Sequence, residues 1–213
     1  MNMPRTTKRE VLTAFRTREI LAAARQLLEQ DGVQEVTMEE IAALAGVAKG
    51  TLYLYFRSKE ELIQALLSQV GEEMEQGMEE IMAAPGGAKE KLAGALSLLL
   101  HYVERERVLF PLYLKEIFKG SRSGQENPVA AIEKRVLGLI AGLFAEGMAQ
   151  DQFLAADPML LTFLLRGLVR ATGLYQMAAG NQEAVHQAFP VVADIVFSGF
   201  LKPASLKAGE VEA

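Results

Sequence analysis

Two helix-start signals that flank one tight turn constrain the fold of this chain more than any other feature. Within residues 36–62 a hydroxyl side chain is twice followed, three positions later, by a glutamate: Thr37 by Glu40 and Ser58 by Glu61. In such a capping box the hydroxyl and the carboxylate reciprocally satisfy backbone donors that the first helical turn leaves open. Between the boxes, apolar residues at helical spacing are interrupted once by a glycine. The segment therefore predicts a helix, a turn and a second helix.

Composition and periodicity extend this pattern to an all-α chain. Of the 213 residues 50% are hydrophobic, enough for a substantial core, and only seven are proline. No long stretch alternates Val, Ile or Thr with polar residues, and start and stop signals divide the chain into nine helices. We expect a three-helix helix-turn-helix domain over residues 1–62, with a basic arm over residues 1–12, and a helical domain over residues 63–213. The boundary then falls near the start of the long fourth helix.

The charge distribution fits a nucleic-acid partner at one end of the chain only. The net charge is −5, but residues 1–60 hold nine Lys and Arg against eight Asp and Glu, for +1, which leaves −6 for the remainder. Within the first 25 residues the count is six basic to two acidic. Because the phosphate backbone attracts positive charge, DNA affinity must come from a local basic face.

The chain lacks the residues that several classes of function require. The chain has no Cys and two His, and it shows no zinc-protease, nucleophile-elbow or phosphate-loop motif. We therefore expect no catalytic residues, no metal and no cofactor. The two most apolar stretches are too short, or interrupted by Arg166 and Arg170, to span a bilayer, and no secretion signal opens the sequence. A cytoplasmic protein with no membrane partner is expected.

The segment over residues 15–62 resembles the tetracycline-repressor (TetR) family of bacterial transcription regulators. Residues 70–213 resemble that family only in the number, length and order of their helices. The resemblance implies a homodimer that binds a double-stranded DNA operator and a small-molecule effector held in the C-terminal domain. The residues that carry it are Gly32, Thr37, Ile41-Ala42, Ala45-Gly46-Val47, Lys49-Gly50-Thr51-Leu52-Tyr53, Tyr55-Phe56 and Lys59-Glu60-Glu61-Leu62.

The second helix of the motif, over residues 48–55, has the length that fits the major groove, with its first residues nearest the base edges. Lys49 can donate to guanine, Gly50 allows close backbone approach, and Thr51 can contact a base edge or a thymine methyl. Tyrosine hydroxyls and residues at helix N-termini suit phosphates. The expected DNA-contacting residues are Thr37, Lys49, Gly50, Thr51, Tyr53, Tyr55 and Lys59.

Three positions of this motif need a separate interpretation. Phe56 is expected to close the small core with Leu27, Ile41 and Leu52 rather than to contact DNA. Ala48 stands where the family often has a capping Ser or Thr, so one cap is lost. Leu54 stands where an aromatic or polar residue is common, and we hypothesise that it contacts a thymine methyl.

The last two helices carry apolar residues on more than one face, so they need two packing partners. One partner is their own domain, and the other would be the same pair in a second subunit, as in the family that the chain resembles. The alternative is that both helices are central in a monomer. The expected dimer interface is Leu164, Leu168, Ala171, Tyr175, Ala188, Val192, Ile195 and Val196.

A cavity among helices four to eight is the effector site that the resemblance implies. Adaptable Met, aromatic and singly polar positions inside apolar stretches are the candidates for its lining, and core packing is the favoured alternative for most of them. Arg166 and Arg170 lie one turn apart and could form an anion-binding pair or salt bridges to Glu133 or Glu146. The candidate ligand residues are Met74, Met78, His101, Tyr102, Phe110, Tyr113, Phe144, Phe163 and Arg166.

The sequence thus predicts a DNA-binding transcriptional regulator. The specific hypothesis is a repressor that binds a palindromic operator as a dimer and is released when a small, largely apolar effector tilts the fourth helix. One alternative is a structural DNA-binding protein of the same fold without an effector, or an activator. A helical enzyme is the remaining alternative, and no motif supports it.

Overall fold

Nine α-helices follow one another in this computed structural model, which describes residues 7–123, 127–179 and 183–201. Over these ranges the one β-type pairing is an isolated bridge between Phe153 and Leu201, so the predicted all-α fold is confirmed. None of the described helices is long and apolar enough to cross a membrane. The helices are α1 (Lys8–Asp31), α2 (Met38–Leu44), α3 (Lys49–Tyr55), α4 (Lys59–Ala83), α5 (Ala88–Arg105), α6 (Phe110–Ser123), α7 (Pro128–Ala149), α8 (Pro158–Ala179) and α9 (Glu183–Gly199).

The two predicted helix starts are present, but only the first is a complete capping box. The Thr37 hydroxyl accepts from the Glu40 amide at 3.3 Å, and the Glu40 carboxylate accepts from the Thr37 amide at 2.8 Å. At the start of α4 the Ser58 hydroxyl accepts from the Glu61 amide at 3.2 Å. The Glu61 carboxylate accepts instead from the amide of Arg57, at 2.7 Å, because the extended backbone before α4 brings that donor within its reach.

Two ends of helices differ from the sequence-based expectation. The predicted basic arm over residues 1–12 overlaps α1, which begins at Lys8 behind a third capping box formed by Thr7 and Glu10. Residues 1–6 lie outside the described residues. The polar run after Lys119 is typical of a loop, yet α6 continues to Ser123.

The described side chains form two cores that meet along α4. The first core packs α1, α2 and α3 against the N-terminal half of α4, and Leu109 and Val129 from the second domain also enter it. The second core packs the C-terminal half of α4 against α5, α7, α8 and α9. Leu66 and Leu67 of α4 belong to the first core and Met74 to the second. The first core thus extends along α4 about one turn beyond residue 62, the boundary that the sequence predicts.

A glycine at the end of α7 makes room for the aromatic cluster that closes the second core. A Cβ on Gly147 would lie 2.1 Å from a ring carbon of Phe153. Phe153 meets Phe144 edge to face with ring centroids 5.6 Å apart, and Phe144 meets Phe200 in the same way at 5.6 Å. The turn after α7 can therefore fold back only because position 147 has no side chain.

We expect Gly147→Ala to destabilise the fold by about 3 kcal/mol, because the added methyl overpacks a core that has no free volume there. Gly138→Ala in the same helix is the matched control. A Cβ at Gly138 meets nothing within 4 Å, so this change should stabilise the protein by roughly 0.5–1 kcal/mol. Urea unfolding followed by circular dichroism measures both. Equal unfolding midpoints for the two variants would contradict the packing described here.

Candidate DNA interface and effector cavity

The turn between α2 and α3 is held by backbone geometry. Gly46 adopts a φ of 65°, in the left-handed region that glycine tolerates best, and the Val47 amide donates to the Ala42 carbonyl at 3.0 Å. Ala48 then precedes α3 in an extended conformation and makes no side-chain capping hydrogen bond, as its sequence predicts. The turn sets α3 across α2 and presents the N-terminus of α3 to solvent.

Helix α3 has an inner face and an outer face. Leu52 and Phe56 are buried in the first core, as expected for Phe56, and Tyr55 packs half-buried against the same core. Gly50 lies on the outer face, where a Cβ would meet nothing within 4 Å. On the same outer face Tyr53 is 40% exposed and Leu54 86% exposed. An exposed leucine on a short helix has no packing partner within its own domain, so this face is open to a partner molecule.

Two of the expected DNA-contacting residues also position the helices. The Lys59 ammonium donates to the backbone carbonyls of Val36 and Gln34, which ties the segment before α2 to the start of α4. The Thr37 hydroxyl is held in its capping box, and Thr51 is half-buried. Lys59 and Thr37 therefore hold the N-termini of α4 and α2 side by side on one surface.

The first residue of α3 has an acidic neighbour that the sequence did not predict. The Lys49 ammonium forms an exposed ion pair with Glu39 in the first turn of α2. The hydrogen bond from Lys49 lowers the pKa of Glu39, and the hydrogen bond to Glu39 raises the pKa of Lys49. Lys49 is thus paired with Glu39 in the structure, at the exposed N-terminus of α3.

A small apolar cavity lies where α4, α5, α6 and α8 meet. Its volume is about 50 Å³, whereas one water molecule occupies roughly 30 Å³ in the liquid. Five of the nine candidate ligand residues line it. The described lining residues are Leu67, Val70, Gly71, Met74, Tyr102, Val103, Glu106, Leu109, Phe110, Tyr113 and Arg166.

The other four candidate ligand residues lie elsewhere. Met78 and Phe144 are fully buried in the second core. His101 is exposed in a wider surface groove beside the end of α5. Phe163 is 53% exposed on the outer face of α8. The periodicity of the sequence placed these residues in apolar stretches, but it could not show which of them face the cavity.

A largely buried polar cluster reaches the cavity through two of its members, Tyr113 and Arg166. The carboxylate of Glu133 on α7 accepts from Arg166 at 2.7 Å and from Arg170 at 2.7 Å, and Tyr113 donates to it as well. Burial opposes ionisation of Glu133, but the charge of Arg166 and the hydrogen bonds outweigh it and hold the pKa of Glu133 below its ordinary value. Burial raises the pKa of the Tyr113 hydroxyl, which stays protonated. Of the two interpretations of Arg166 and Arg170, the salt bridges to Glu133 are present.

A second ion pair connects the cavity wall to the DNA-binding domain. Arg25 of α1 donates to Glu106 at 2.7 Å, and Arg105 donates to the same carboxylate oxygen at 2.7 Å. Arg105 also pairs with Glu73 on α4 at 3.0 Å. Glu106 is only 6% exposed, so this pair is shielded from water and salt far better than a surface pair. The charged run over residues 104–107 is typical of a solvated surface, so the sequence did not indicate this role.

Comparison with known proteins places the N-terminal segment in a family. Residues 20–66 match the model of bacterial regulatory proteins of the tetR family. The chain carries the DNA-binding segment of this family. An uncharacterised HTH-type transcriptional regulator of Bacillus subtilis, YhgD, is 28% identical over 146 residues, which cover 68% of this chain and 76% of that protein. The fatty acid metabolism regulator protein of the same organism is 29% identical over 134 residues, 63% of this chain and 69% of that protein.

A solved structure agrees in fold along most of the chain. The transcriptional regulator FadR from Bacillus subtilis, in complex with stearoyl-CoA, superposes with a TM-score of 0.68 at 25% identity and covers 85% of this chain and 98% of that one. This chain is therefore similar along most of its length to DNA-binding transcriptional regulators, and α3 lies within the segment that matches the tetR model.

The outer face of α8 and α9 in this regulator is apolar and unoccupied by its own chain. Among the residues expected at a dimer interface, Leu164 is 49%, Tyr175 52% and Ile195 46% exposed, and Ala171 is exposed as well. Leu168 and Ala188 are half-buried. By contrast, Val192 and Val196 point into the second core, because α9 uses that face to pack against α5 and α8.

The described part of the regulator holds no group of three His, Asp or Glu side chains that could bind a metal ion. His186, the second histidine, instead lies 2.9 Å from the carboxylate of Glu104 in an exposed pair.

We expect Glu39→Gln to raise the affinity of the regulator for DNA, because it frees Lys49 and removes a negative charge beside the phosphates. Lys49→Ala should lower affinity and reduce the slope of log K against log salt by about one. In the Lys49→Ala background the gain from Glu39→Gln should shrink, which a double-mutant cycle measures. Glu79→Gln, an equal charge change on the distant half of α4, is the control. Equal gains from Glu39→Gln and Glu79→Gln would show that Lys49 is not involved.

Proposed function

We propose that this regulator is a cytoplasmic repressor that binds a palindromic operator as a homodimer and dissociates when a small, largely apolar effector enters the cavity. The observation that carries the proposal is the continuity of α4. Its first residue, Lys59, donates to the carbonyl of Val36 just before α2, and Met74 in the same helix lines the cavity. A change at the cavity would therefore act on a helix that shares its N-terminal core with α3.

The size of the cavity supports an effector-dependent change of shape. Ligand pockets commonly measure 300–1,000 Å³, several times the volume of about 50 Å³ found here. An effector must therefore push α4, α5, α6 and α8 apart. An effector that binds only the widened form shifts the population towards it, and the required displacement of α4 is the coupling to DNA.

The class of effector is supported by both the cavity and the relatives. Nine of the eleven described lining residues are uncharged, and most are aliphatic or aromatic. One relative is named for fatty acid metabolism, and one solved structure holds stearoyl-CoA. We infer that the effector of this regulator carries an acyl chain or a similar apolar body.

The dimer is supported by the apolar face of α8 and α9. Large exposed apolar residues concentrate there, including Leu160, Phe163, Leu164, Tyr175 and Ile195. An apolar patch of this kind marks a protein–protein interface, and a two-fold dimer would use the same face of both subunits. Two recognition helices could then reach successive major grooves, whose centres lie about 34–36 Å apart.

Selection of bound duplexes from a random pool tests the DNA-binding part of this proposal. We expect an inverted repeat whose half-site centres are separated by about one helical turn, because the two-fold axis of the dimer relates the two recognition helices. The selected duplex then serves in mobility-shift assays with fatty acids and acyl-CoA thioesters, in which release of the duplex is expected. A pool without a repeat would favour the structural DNA-binding alternative, and a tighter complex with effector would favour an activator or co-repressor mode.

Leu164→Glu should convert the dimer to a monomer and reduce affinity for the selected duplex by roughly a hundredfold or more, because a buried unpaired carboxylate costs several kcal/mol at an interface. Phe118→Glu is the matched control, since Phe118 is 61% exposed on α6 and is not part of the proposed interface. Sedimentation velocity reports the oligomeric state. A dimeric Leu164→Glu variant would refute this assignment of the interface.

A further inference from the structure

The polar cluster in the cavity wall is not electrically neutral. The guanidinium groups of Arg166 and Arg170 face the single carboxylate of Glu133, so two positive charges and one negative charge leave a net charge of +1. Glu133 and Arg166 are each about 95% buried. The hydroxyl of Tyr113 accepts from Arg166 at 2.8 Å but brings no charge.

Donor capacity in this cluster is also left unused. Three hydrogen bonds hold Glu133 to the two arginines, at 2.7, 2.7 and 3.3 Å. The Nε of Arg170 is buried and donates to no residue that the structure describes. An excess charge in a largely buried cluster costs free energy, and an anion beside Arg166, the arginine that lines the cavity, would relieve this cost.

The second charged residue among the described lining residues does not offset this charge. The Oε1 of Glu106 is already shared by Arg25 and Arg105, while its buried Oε2 accepts from no residue that the structure describes, and Arg105 also pairs with Glu73. Two positive and two negative charges make that group neutral. The cavity therefore has an apolar interior, one neutral ion-pair wall and one wall with a net positive charge at Arg166.

We propose that Arg166, supported by Arg170 and Tyr113, is the head-group site of an effector that carries a single carboxylate on an apolar body. This inference rests on the proposed function and specifies the chemistry of the same cavity. The carboxylate accepts from the Arg166 guanidinium, whose planar fork matches two carboxylate oxygens, and the apolar body lies along Met74 and Phe110. Glu133 holds the guanidinium in place without cancelling the charge of both arginines.

A site of this kind distinguishes a free carboxylate from the alcohol and the acyl-CoA thioester of equal chain length. An alcohol carries no charge. The thioester of an acyl-CoA is also a neutral group, and the charged phosphates of the CoA lie far from the acyl chain. Straight-chain carboxylates from hexanoate to palmitate, the matching alcohols and the matching acyl-CoA thioesters are the probes, and calorimetry gives their dissociation constants. We expect at least one carboxylate to bind roughly tenfold or more tightly than its alcohol, as a charge-assisted hydrogen bond contributes.

Variants of the cluster test the role of its positive charge. The quantity compared is the dissociation constant of an alcohol divided by that of the carboxylate of equal length. Arg166→Met should bring this ratio close to one, whereas Arg166→Lys, which keeps the positive charge, should retain most of it. Glu133→Gln should increase the ratio, because it raises the net charge of the cluster. A purely structural role of Arg166 would weaken all probes alike and leave the ratio unchanged, which would overturn the proposal.

Folding of the variants is checked independently of the probes. Arg166→Met leaves Arg170 and Glu133 as a neutral pair, so the selected operator duplex should still bind it without effector. Equal binding of carboxylates and alcohols by the wild-type chain, or binding of acyl-CoA alone, would overturn the carboxylate site but leave the proposed function standing. Failure of every probe and of a bacterial extract to release the duplex would instead refute the effector-dependent function itself.

Discussion

The rest of the structure depends on a single unbroken helix that belongs to two cores. Helix α4 runs from Lys59 to Ala83, about 37 Å at 1.5 Å per residue. Its first half buries Leu62, Leu66 and Leu67 with the DNA-binding helices, and its second half buries Met74 and Met78 among α5, α7 and α8. Because both cores are close-packed, neither end of this helix can move without a response at the other.

The ion pair between Arg25 and Glu106 adds a second connection that does not run through α4. It joins α1 to the residue that follows α5, and Glu106 lines the same cavity that Met74 lines. The cavity is thus bordered both by the helix that passes between the domains and by the charged contact that holds them together. Widening the cavity would act on both connections. The acidic net charge of the chain does not oppose DNA binding at the N-terminal segment, since the first 25 residues hold six basic residues against two acidic ones.

Local signals in the sequence predicted most of the fold. The capping box at Thr37 and the glycine turn at Gly46 depend on residues within a few positions of each other, and each is present in the structure. The partner of the Glu61 carboxylate could not be predicted, because two backbone amides compete for it and the loop conformation selects one.

Contacts between distant elements were predictable only in part. The sequence offered Glu133 and Glu146 as partners of Arg166 and Arg170, and helix packing selected Glu133. It offered nine candidates for the cavity, and the rotation of each helix about its axis decided which of them face it. Phe163 and Arg166 are neighbours on α8, yet one faces solvent and the other the cavity. The pairing of Lys49 with Glu39 likewise required the crossing of α2 and α3, which no short-range pattern encodes.

The central claim, that filling the cavity moves the DNA-binding domains through α4, is tested most directly by a distance between the two domains of a dimer. The chain has no Cys, so Gln30→Cys places one spin label on the exposed end of α1 in each subunit. Pulsed electron–electron double resonance then measures the label-to-label distance with and without a saturating fatty acid that releases the operator. We predict a shift of several ångströms in the mean distance, in the same direction for every releasing compound. An unchanged distance distribution under conditions in which the operator is released would contradict the account.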